Sequence, residues 1–214
     1  VLKARFPGAS VHAFTATATE RVRRDIVEQL RLTDPLVLVG RFDRANLTYR
    51  IRPRIDLEAQ LLAVLGQHAG EGAIVYCLSR ADTESLAGKM QAHGVRAAAY
   101  HAGLEAGVRR DVQEAFLGEQ LDVVVATVAF GMGIDRSNVR LVVHAAVPKS
   151  IEHYQQETGR AGRDGLPAEC VLFYSAADVI RWRSLLERGA VVGEAPPDAL
   201  AGQLAALADV QRMC

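Results

Sequence analysis

The strongest constraint on the fold is a regular alternation of short apolar runs with helix-length amphipathic segments along the middle of the chain. The apolar runs lie at residues 73–76, 97–100, 122–126, 139–144 and 170–174. The helical patterns lie between them, at residues 83–92, 108–117 and 151–158. The runs around Val124 and Val142 are apolar at every position, which is typical of strands covered on both faces. The pattern therefore predicts an α/β fold, with a parallel sheet flanked by helices.

The segments that precede this pattern are less regular. Residues 11–16 and 36–39 are predicted as two further short strands, with a helix between them from Thr19 to about Leu30. Residues 41–54 are rich in arginine and are predicted as a connector between two domains. These features indicate the end of another domain before the main one.

The C-terminal segment also differs from the middle of the chain. Residues 193–197 include Pro196-Pro197 and predict a linker, and residues 199–213 predict the first turns of another helix. The chain begins at Val1 rather than at a methionine. We therefore expect one complete α/β domain that belongs to a longer polypeptide.

Charge and cysteine content exclude several classes of protein. The 25 basic side chains balance 25 acidic ones, which excludes a polybasic histone-like binder. Residues 1–54 carry 11 basic and 5 acidic groups, so this segment either faces an anion such as a phosphate backbone or is a solvated surface. The three cysteines are far apart and form no CxxC pair, which argues for a reducing compartment. No apolar run approaches the ~20 residues of a membrane helix, and no signal peptide is present, so we expect a cytoplasmic location without membrane contact.

The strongest chemical signal is the stretch of residues 156–165, QETGRAGRDG. Arg160 and Arg163 are three residues apart and alternate with glycines, which allow sharp turns and close approach to a ligand. A guanidinium group matches phosphate oxygens and stabilises the charge on a γ-phosphoryl group in transfer. The alternative is a glycine-rich surface turn with two exposed arginines.

A second signal directly follows the predicted strand at residues 122–126. Ligands of parallel α/β sheets bind at the carboxyl ends of strands, where Thr127 is expected to offer its hydroxyl to a phosphate. Gly131 and Gly133 predict a tight loop, and Asp135 would accept from a ribose hydroxyl or orient an arginine. The alternative is an ordinary strand-to-helix turn that Asp135 caps.

A third group of polar residues follows two other strands. Ser79 and Arg80 come after one, and His101 comes after the next. Because parallel strands share their carboxyl edge, these residues and Thr127 are expected to line one groove suited to a nucleic-acid backbone. The alternatives are a helix N-cap for Ser79 and a satisfied loop histidine for His101. A fourth signal, FTATA at residues 14–18, leaves two hydroxyls at a turn and is uninformative alone.

In this order, residues 14–18, 126–135 and 156–165 resemble motifs III, V and VI of superfamily 2 helicases. The variants resemble the RecQ family of 3′–5′ DNA helicases, supported by Ser79-Arg80, by residues 98–104 and by Phe42-Asp43-Arg44-x-Asn46. The Ser-Ala-Thr motif III and histidine-led motif VI usual in DEAD-box RNA helicases are not found. The resemblance extends from about residue 11 to 190 and implies a RecA-like fold of the P-loop NTPase type.

The resemblance also implies a division into domains. Residues 1–40 would be the end of the first RecA-like domain, residues 41–190 the second RecA-like domain, and residues 191–214 a linker and the start of a zinc-binding subdomain. Cys214 would match the first cysteine ligand of Zn²⁺ there, although such a site needs four ligands. Cys77 and Cys170 are predicted as core residues.

The resemblance further implies a role for each motif residue in an ATP- and Mg²⁺-dependent cycle of domain closure on single-stranded or forked DNA. Arg163 would be the arginine finger and Arg160 its support. The other implied roles are nucleotide contact and coupling for Gly133, Asp135 and Gln156, DNA contact for Ser79, Arg80, His101 and Thr127, and coupling of ATP to DNA for Thr15 and Thr17.

The chain contains no G-x-x-x-x-G-K-[ST] and no Asp-Glu-x-His box, so we expect it not to hydrolyse ATP without a P-loop domain from the same polypeptide. The main hypothesis is therefore the distal part of a RecQ-type helicase acting in DNA repair and recombination. Two alternatives remain open: a non-catalytic nucleic-acid-binding module with this fold, and a doubly wound enzyme for a small phosphorylated ligand.

Overall fold

A computed structural model describes residues 5–6, 8–15, 18, 20–40, 44–128, 130, 136–178, 180–182 and 184. The chain divides into two compact units, Val1–Arg44 and Ala45–Cys214. The motif residues of the main α/β pattern all belong to the second unit, so that unit contains the sheet and most of the predicted site.

In the first unit, helix α1 spans Glu20–Gln29 and confirms the predicted helix. The strands predicted at residues 11–16 and 36–39 are wrong for the residues that the structure describes, which have no regular structure there. A strand persists only where a neighbouring strand pairs with its backbone N–H and C=O groups. Among the described residues of this unit, none lies in a strand, so these apolar segments have no such neighbour.

The second unit contains a parallel sheet whose strands alternate with helices. Its elements are β1 (Leu47–Pro53), α2 (Leu57–Gln67), β2 (Gly72–Tyr76), α3 (Arg80–Ala92), β3 (Ala97–Tyr100), α4 (Ala106–Leu117), β4 (Val123–Ala126), β5 (Val139–His144), α5 (Ile151–Thr158) and β6 (Ala168–Tyr174). The strand order is β1-β6-β5-β2-β4-β3, and every neighbouring pair is parallel. The predicted α/β fold with a parallel sheet is confirmed.

The prediction of a connector over residues 41–54 is wrong from Leu47 onward, because β1 occupies Leu47–Pro53. Among the described strands, β1 lies at the edge of the sheet and pairs with β6 alone. Leu47 is its one buried residue, and the strand alternates apolar with polar residues instead of forming the continuous apolar run of the interior strands. Helix α2 is a further element that the sequence patterns do not predict; its N-cap is Asp56, whose Oδ1 accepts from the backbone N–H of Ala59 at 3.1 Å.

The core lies on both faces of the central strands β2, β4 and β5. On one face, Ala73 and Val75 pack with buried residues of α2 and α3 such as Leu61 and Met90. On the other, Ile74 packs with residues that include Phe116 and Phe130. Because both faces are covered, the carboxyl ends of these strands are held at one fixed edge of the sheet.

Candidate functional site

The arginine-bearing segment forms a tight turn directly after α5. Helix α5 ends at Thr158, and two glycines of the turn have positive φ, +53° at Gly162 and +84° at Gly165. The backbone N–H of Gly162 donates to the carbonyl of Val139 at 2.8 Å, which ties the turn to the start of β5. Arg163 is exposed on this turn and Arg160 is partly buried.

A buried polar cluster lies behind Arg160. Burial raises the pKa of the Tyr76 hydroxyl, while the charge of the Arg160 guanidinium and its hydrogen bond to that hydroxyl oppose the rise. The Tyr76 ring stacks on His144 with 5.3 Å between centroids, and His144 Nε2 lies 2.7 Å from Glu157 Oε2. Arg160 is therefore held against the carboxyl end of the sheet, whereas the more exposed Arg163 also opposes the rise in the pKa of Tyr76 through its charge.

The side chain of Ser79 is engaged within its own helix. Its Oγ accepts from the backbone N–H of Asp82 at 3.1 Å, and its hydroxyl lies 2.7 Å from the Asp82 carboxylate, to which it donates. Ser79 is thus the N-cap of α3. This arrangement matches the alternative interpretation of Ser79 and leaves its predicted contact with DNA untested.

Arg80 and His101 lie side by side at the same edge of the sheet. The Arg80 side chain passes over Gly103, where a Cβ atom would lie 2.9 Å from Arg80 Nη1 and 3.2 Å from His101 Nδ1. The backbone N–H of Gly103 donates to His101 Nδ1 at 3.2 Å, so His101 Nε2 carries a proton that it donates to Glu84 at 2.9 Å. His101 is buried and Arg80 is exposed, so Arg80 is the group of this pair that a ligand reaches.

Thr127 lies beside His101 because β3 and β4 are neighbours, with Tyr100 opposite Ala126. Its backbone N–H donates to the Tyr100 carbonyl at 3.2 Å, and its carbonyl accepts from the N–H of Phe130 at 3.0 Å. Tyr76 is opposite Ala126 in turn, so the residues that follow β2, β3 and β4 share one edge, as expected from the parallel sheet.

The remaining predicted site residues lie on α5, in the first unit or outside the described residues. Thr15 belongs to the first unit, where it is exposed and outside regular structure. Gln156 is exposed on α5, one residue before the buried Glu157. Thr17, Gly133, Asp135 and Cys214 lie outside the described residues.

Comparison with known proteins identifies the family. Residues 56–165, slightly more than half of the chain, match the family described as helicase conserved C-terminal domain. The chain belongs to this helicase family. The match extends from the N-cap of α2 to the end of the arginine-bearing turn.

Curated relatives define the branch of the family. The chain is 53% identical over 178 residues to the ATP-dependent DNA helicase RecQ of Pasteurella multocida. The aligned region covers 83% of this chain and 28% of that protein. It is 44% identical over 191 residues to the ATP-dependent DNA helicase hus2/rqh1 of Schizosaccharomyces pombe, covering 88% of this chain and 14% of the relative. The predicted RecQ-family superfamily 2 identity is confirmed, and this helicase segment spans less than a third of the length of these relatives.

Solved structures give the same fold. The Mycobacterium smegmatis helicase Lhr, in a structure bound to ssDNA and AMP-PNP, is 25% identical with a TM-score of 0.52, covering 67% of this chain and 21% of Lhr. Saccharomyces cerevisiae Dbp5, bound to RNA and ADP BeF3, is 20% identical with a TM-score of 0.64, covering 82% of this chain and 47% of that one. The likeness to Dbp5 concerns the fold alone.

The structure adds residues to the candidate site beyond those predicted from the sequence. Tyr76 and His144 each end a buried strand, and Glu157 lies within the arginine-bearing stretch of residues 156–165. A polar or aromatic residue at the last position of an apolar run was the available signal, because such a residue faces the ligand edge. Asn46 was noted only as part of a family motif, and its contacts involve residues more than 100 positions away.

The described residues contain no group of three or more His, Cys, Asp or Glu side chains that could hold a metal ion. None of the helices described is long and apolar enough to cross a membrane. Cys77 and Cys170 are buried, as predicted for core residues, and burial raises the pKa of the Cys77 thiol to about 12.

Proposed function

We propose that this chain is the part of an ATP-dependent 3′–5′ DNA helicase of the RecQ type that supplies motifs III to VI. The observation that carries the proposal is the motif VI turn, on which Arg163 is exposed while Arg160 is anchored beside the Tyr76 hydroxyl. The relatives named as ATP-dependent DNA helicases support it.

In the proposed reaction, Arg163 is the arginine finger. A guanidinium held at the γ-phosphate neutralises the charge that develops on the equatorial oxygens during hydrolysis. Arg160 supports the turn from its buried side. Gln156, Gly133 and Asp135 would contact the nucleotide, ATP with Mg²⁺, and the ligands of that metal would lie mostly on the P-loop domain.

The proposed division of the chain follows the helicase family. Residues 1–40 would be the end of the first RecA-like domain, in which Thr15 and Thr17 couple the ATP site to DNA. Residues 41–190 would be the second RecA-like domain, and residues 191–214 would lead into a zinc-binding subdomain with Cys214 as one ligand of Zn²⁺. The protein would act on DNA in the cytoplasm, in repair and recombination.

The proposed DNA contact lies at the shared carboxyl edge that follows β2, β3 and β4. Arg80 is an exposed cation at this edge, next to His101, and Thr127 follows the adjacent strand β4. The Ser79 hydroxyl caps α3, so its proposed role is to hold Arg80, the next residue, in place for contact with the DNA strand. Contacts of this kind are made to phosphates, so binding is expected to depend on salt and little on sequence. The Lhr structure bound to ssDNA supports this proposal.

The test of the arginine finger is Arg163→Ala in a polypeptide that joins this chain to the P-loop domain of a RecQ helicase. We expect ATP turnover to fall about a thousandfold while affinity for single-stranded DNA is retained. The matched control is Arg110→Ala, which removes another exposed arginine, on α4. Unchanged turnover in Arg163→Ala would reject the role. Two results together would favour the non-catalytic binding module. The chain alone would bind single-stranded DNA in a salt-dependent way, and nucleotide would not change DNA binding by the joined polypeptide.

A further inference from the structure

The side chain of Asn46, more than 100 residues earlier in the sequence, makes hydrogen bonds to the motif VI turn. Asn46, just before β1, donates from Nδ2 to two backbone carbonyls of the turn, that of Gly162 at 2.9 Å and that of Leu166 at 2.8 Å. The backbone carbonyl of Asn46 accepts from the N–H of Ala168 at 2.9 Å, where β1 begins to pair with β6.

The fit between Asn46 and the turn leaves no spare space. A Cβ atom on Gly162 would lie 2.5 Å from Asn46 Nδ2 and 2.8 Å from the Leu166 carbonyl oxygen. Gly162 also has a φ of +53°, a conformation that favours glycine. The amide of Asn46 therefore occupies the volume that any side chain at position 162 would need.

The turn is tied to the rest of the domain from two sides. On the sheet side, the N–H of Gly162 donates to the Val139 carbonyl at 2.8 Å and that of Asp164 to the Ser137 carbonyl at 3.3 Å. On the opposite side, Asn46 satisfies two carbonyls. An amide suits this position because its NH2 group has two donors, whereas a carboxylate has none and would repel both carbonyl oxygens.

We propose that Asn46 is a positioning residue for the motif VI arginines. By holding the carbonyls of Gly162 and Leu166, it fixes the turn between Arg160 and β6 and so sets where Arg163 is presented. This inference rests on the proposed arginine-finger role of Arg163 for its catalytic consequence, but the fixing of the turn is independent of that role.

The first experiment measures amide hydrogen exchange in the 214-residue chain carrying Asn46→Asp. We expect the amides of residues 162–165 to exchange about tenfold faster or more, because the turn opens when its two outer hydrogen bonds are lost, while strands β2, β4 and β5 stay protected. The matched control is Gln91→Glu, which removes another side-chain amide donor to a backbone carbonyl, that of Ala97 at 2.8 Å. Unchanged exchange in the turn of Asn46→Asp would overturn the proposal.

A milder variant keeps this test decisive if Asn46→Asp does not fold. Asn46→Ser retains one hydroxyl donor, and we expect it to show faster exchange confined to residues 162–165. Exchange that rises uniformly across the sheet as well would identify a merely structural residue and overturn the proposal.

The second experiment is a double-mutant cycle on ATP turnover in the polypeptide joined to a P-loop domain. If Asn46 acts through Arg163, Asn46→Asp lowers kcat by about tenfold or more alone but has little further effect in the Arg163→Ala background. Equal effects in both backgrounds would overturn the positioning role. If Arg163→Ala alone leaves turnover unchanged, the arginine-finger proposal fails, and hydrogen exchange alone decides whether Asn46 fixes the turn.

Discussion

The Nε2 atom of His144 lies 2.7 Å from the Oε2 atom of Glu157, and both side chains are buried, with exposed fractions of 1% and 8%. His144 is the last residue of β5, and Glu157 is the penultimate residue of α5. The contact therefore joins the central sheet to the helix that leads into the arginine turn. Burying a polar group costs free energy unless it is hydrogen-bonded, so this contact favours one placement of α5 on the sheet.

Removal of the Glu157 carboxylate should be costly for this reason. We expect Glu157→Ala to lower the free energy of unfolding by about 3 kcal/mol, because the polar group of His144 is left buried without its acceptor. Glu84→Ala is the matched control: that carboxylate also accepts from a buried histidine, His101, but is 61% exposed, so water can replace it at a cost below about 1 kcal/mol. Urea unfolding measures the free energy of unfolding of both variants. Equal losses of stability would contradict the argument that burial makes the Glu157 contact more important than the Glu84 contact.

Two glycines should respond to alanine in opposite directions. A Cβ atom on Gly72 would lie 2.7 Å from Cζ of Arg136, whose side chain is 5% exposed and donates to the Phe116 carbonyl at 2.8 Å. We expect Gly72→Ala to destabilise the domain by about 1–3 kcal/mol, since the guanidinium cannot move without losing its partners. Gly88 lies exposed within α3 with open space around it, so Gly88→Ala should stabilise by up to about 1 kcal/mol. Thermal unfolding of both variants checks the two signs.

The positive-φ glycines of the turn separate backbone strain from steric overlap. Gly162 and Gly165 have φ of +53° and +84°, but only at Gly162 would a Cβ atom meet neighbouring atoms. Gly165→Ala should lower the free energy of unfolding by about 1 kcal/mol, because an L-residue is strained at this φ. Gly162→Ala should cost at least about 1 kcal/mol more, because the Asn46 amide must also move. Denaturant unfolding that shows the same loss for both would disprove the close fit.

Asp164 should titrate abnormally at the end of the turn. A hydrogen bond from Arg140 holds the pKa of this carboxyl below its usual value. Because the folded-state pKa is depressed, the stabilisation is present at neutral pH and is lost as the pH falls through the folded-state pKa, below about pH 4. We expect Arg140→Gln to raise the pKa of Asp164 towards its usual value in an NMR titration. The control is Arg96→Gln, which removes the partner of a different carboxylate, that of Asp122, and should leave the pKa of Asp164 unchanged. A wild-type pKa that Arg140→Gln does not alter would refute the assignment.

Much of the fold is legible in the sequence because its central strands contain continuous apolar runs, such as Val123–Val125 in β4 and Leu141–Val143 in β5. Ala97–Tyr100 and Val139–His144 were predicted to the residue, and α5 likewise. A strand covered on both faces needs no polar alternation, and this signal is local. The edge strand β1 has no such signal, since it is exposed along nearly its whole length, and it was mistaken for a connector.

The sequence by itself determined the parallel α/β order, the edge where strand ends converge and the glycine-rich turn with its two arginines. These follow from local chemistry: apolar runs, helix patterns and the spacing of glycines. Only the tertiary structure decided what holds that turn, namely Asn46 on one side, Tyr76 beside Arg160, and the buried pair of His144 with Glu157 below α5. Hydrogen bonds between distant residues leave no periodic trace in a sequence, because their partners are brought together only when the sheet assembles.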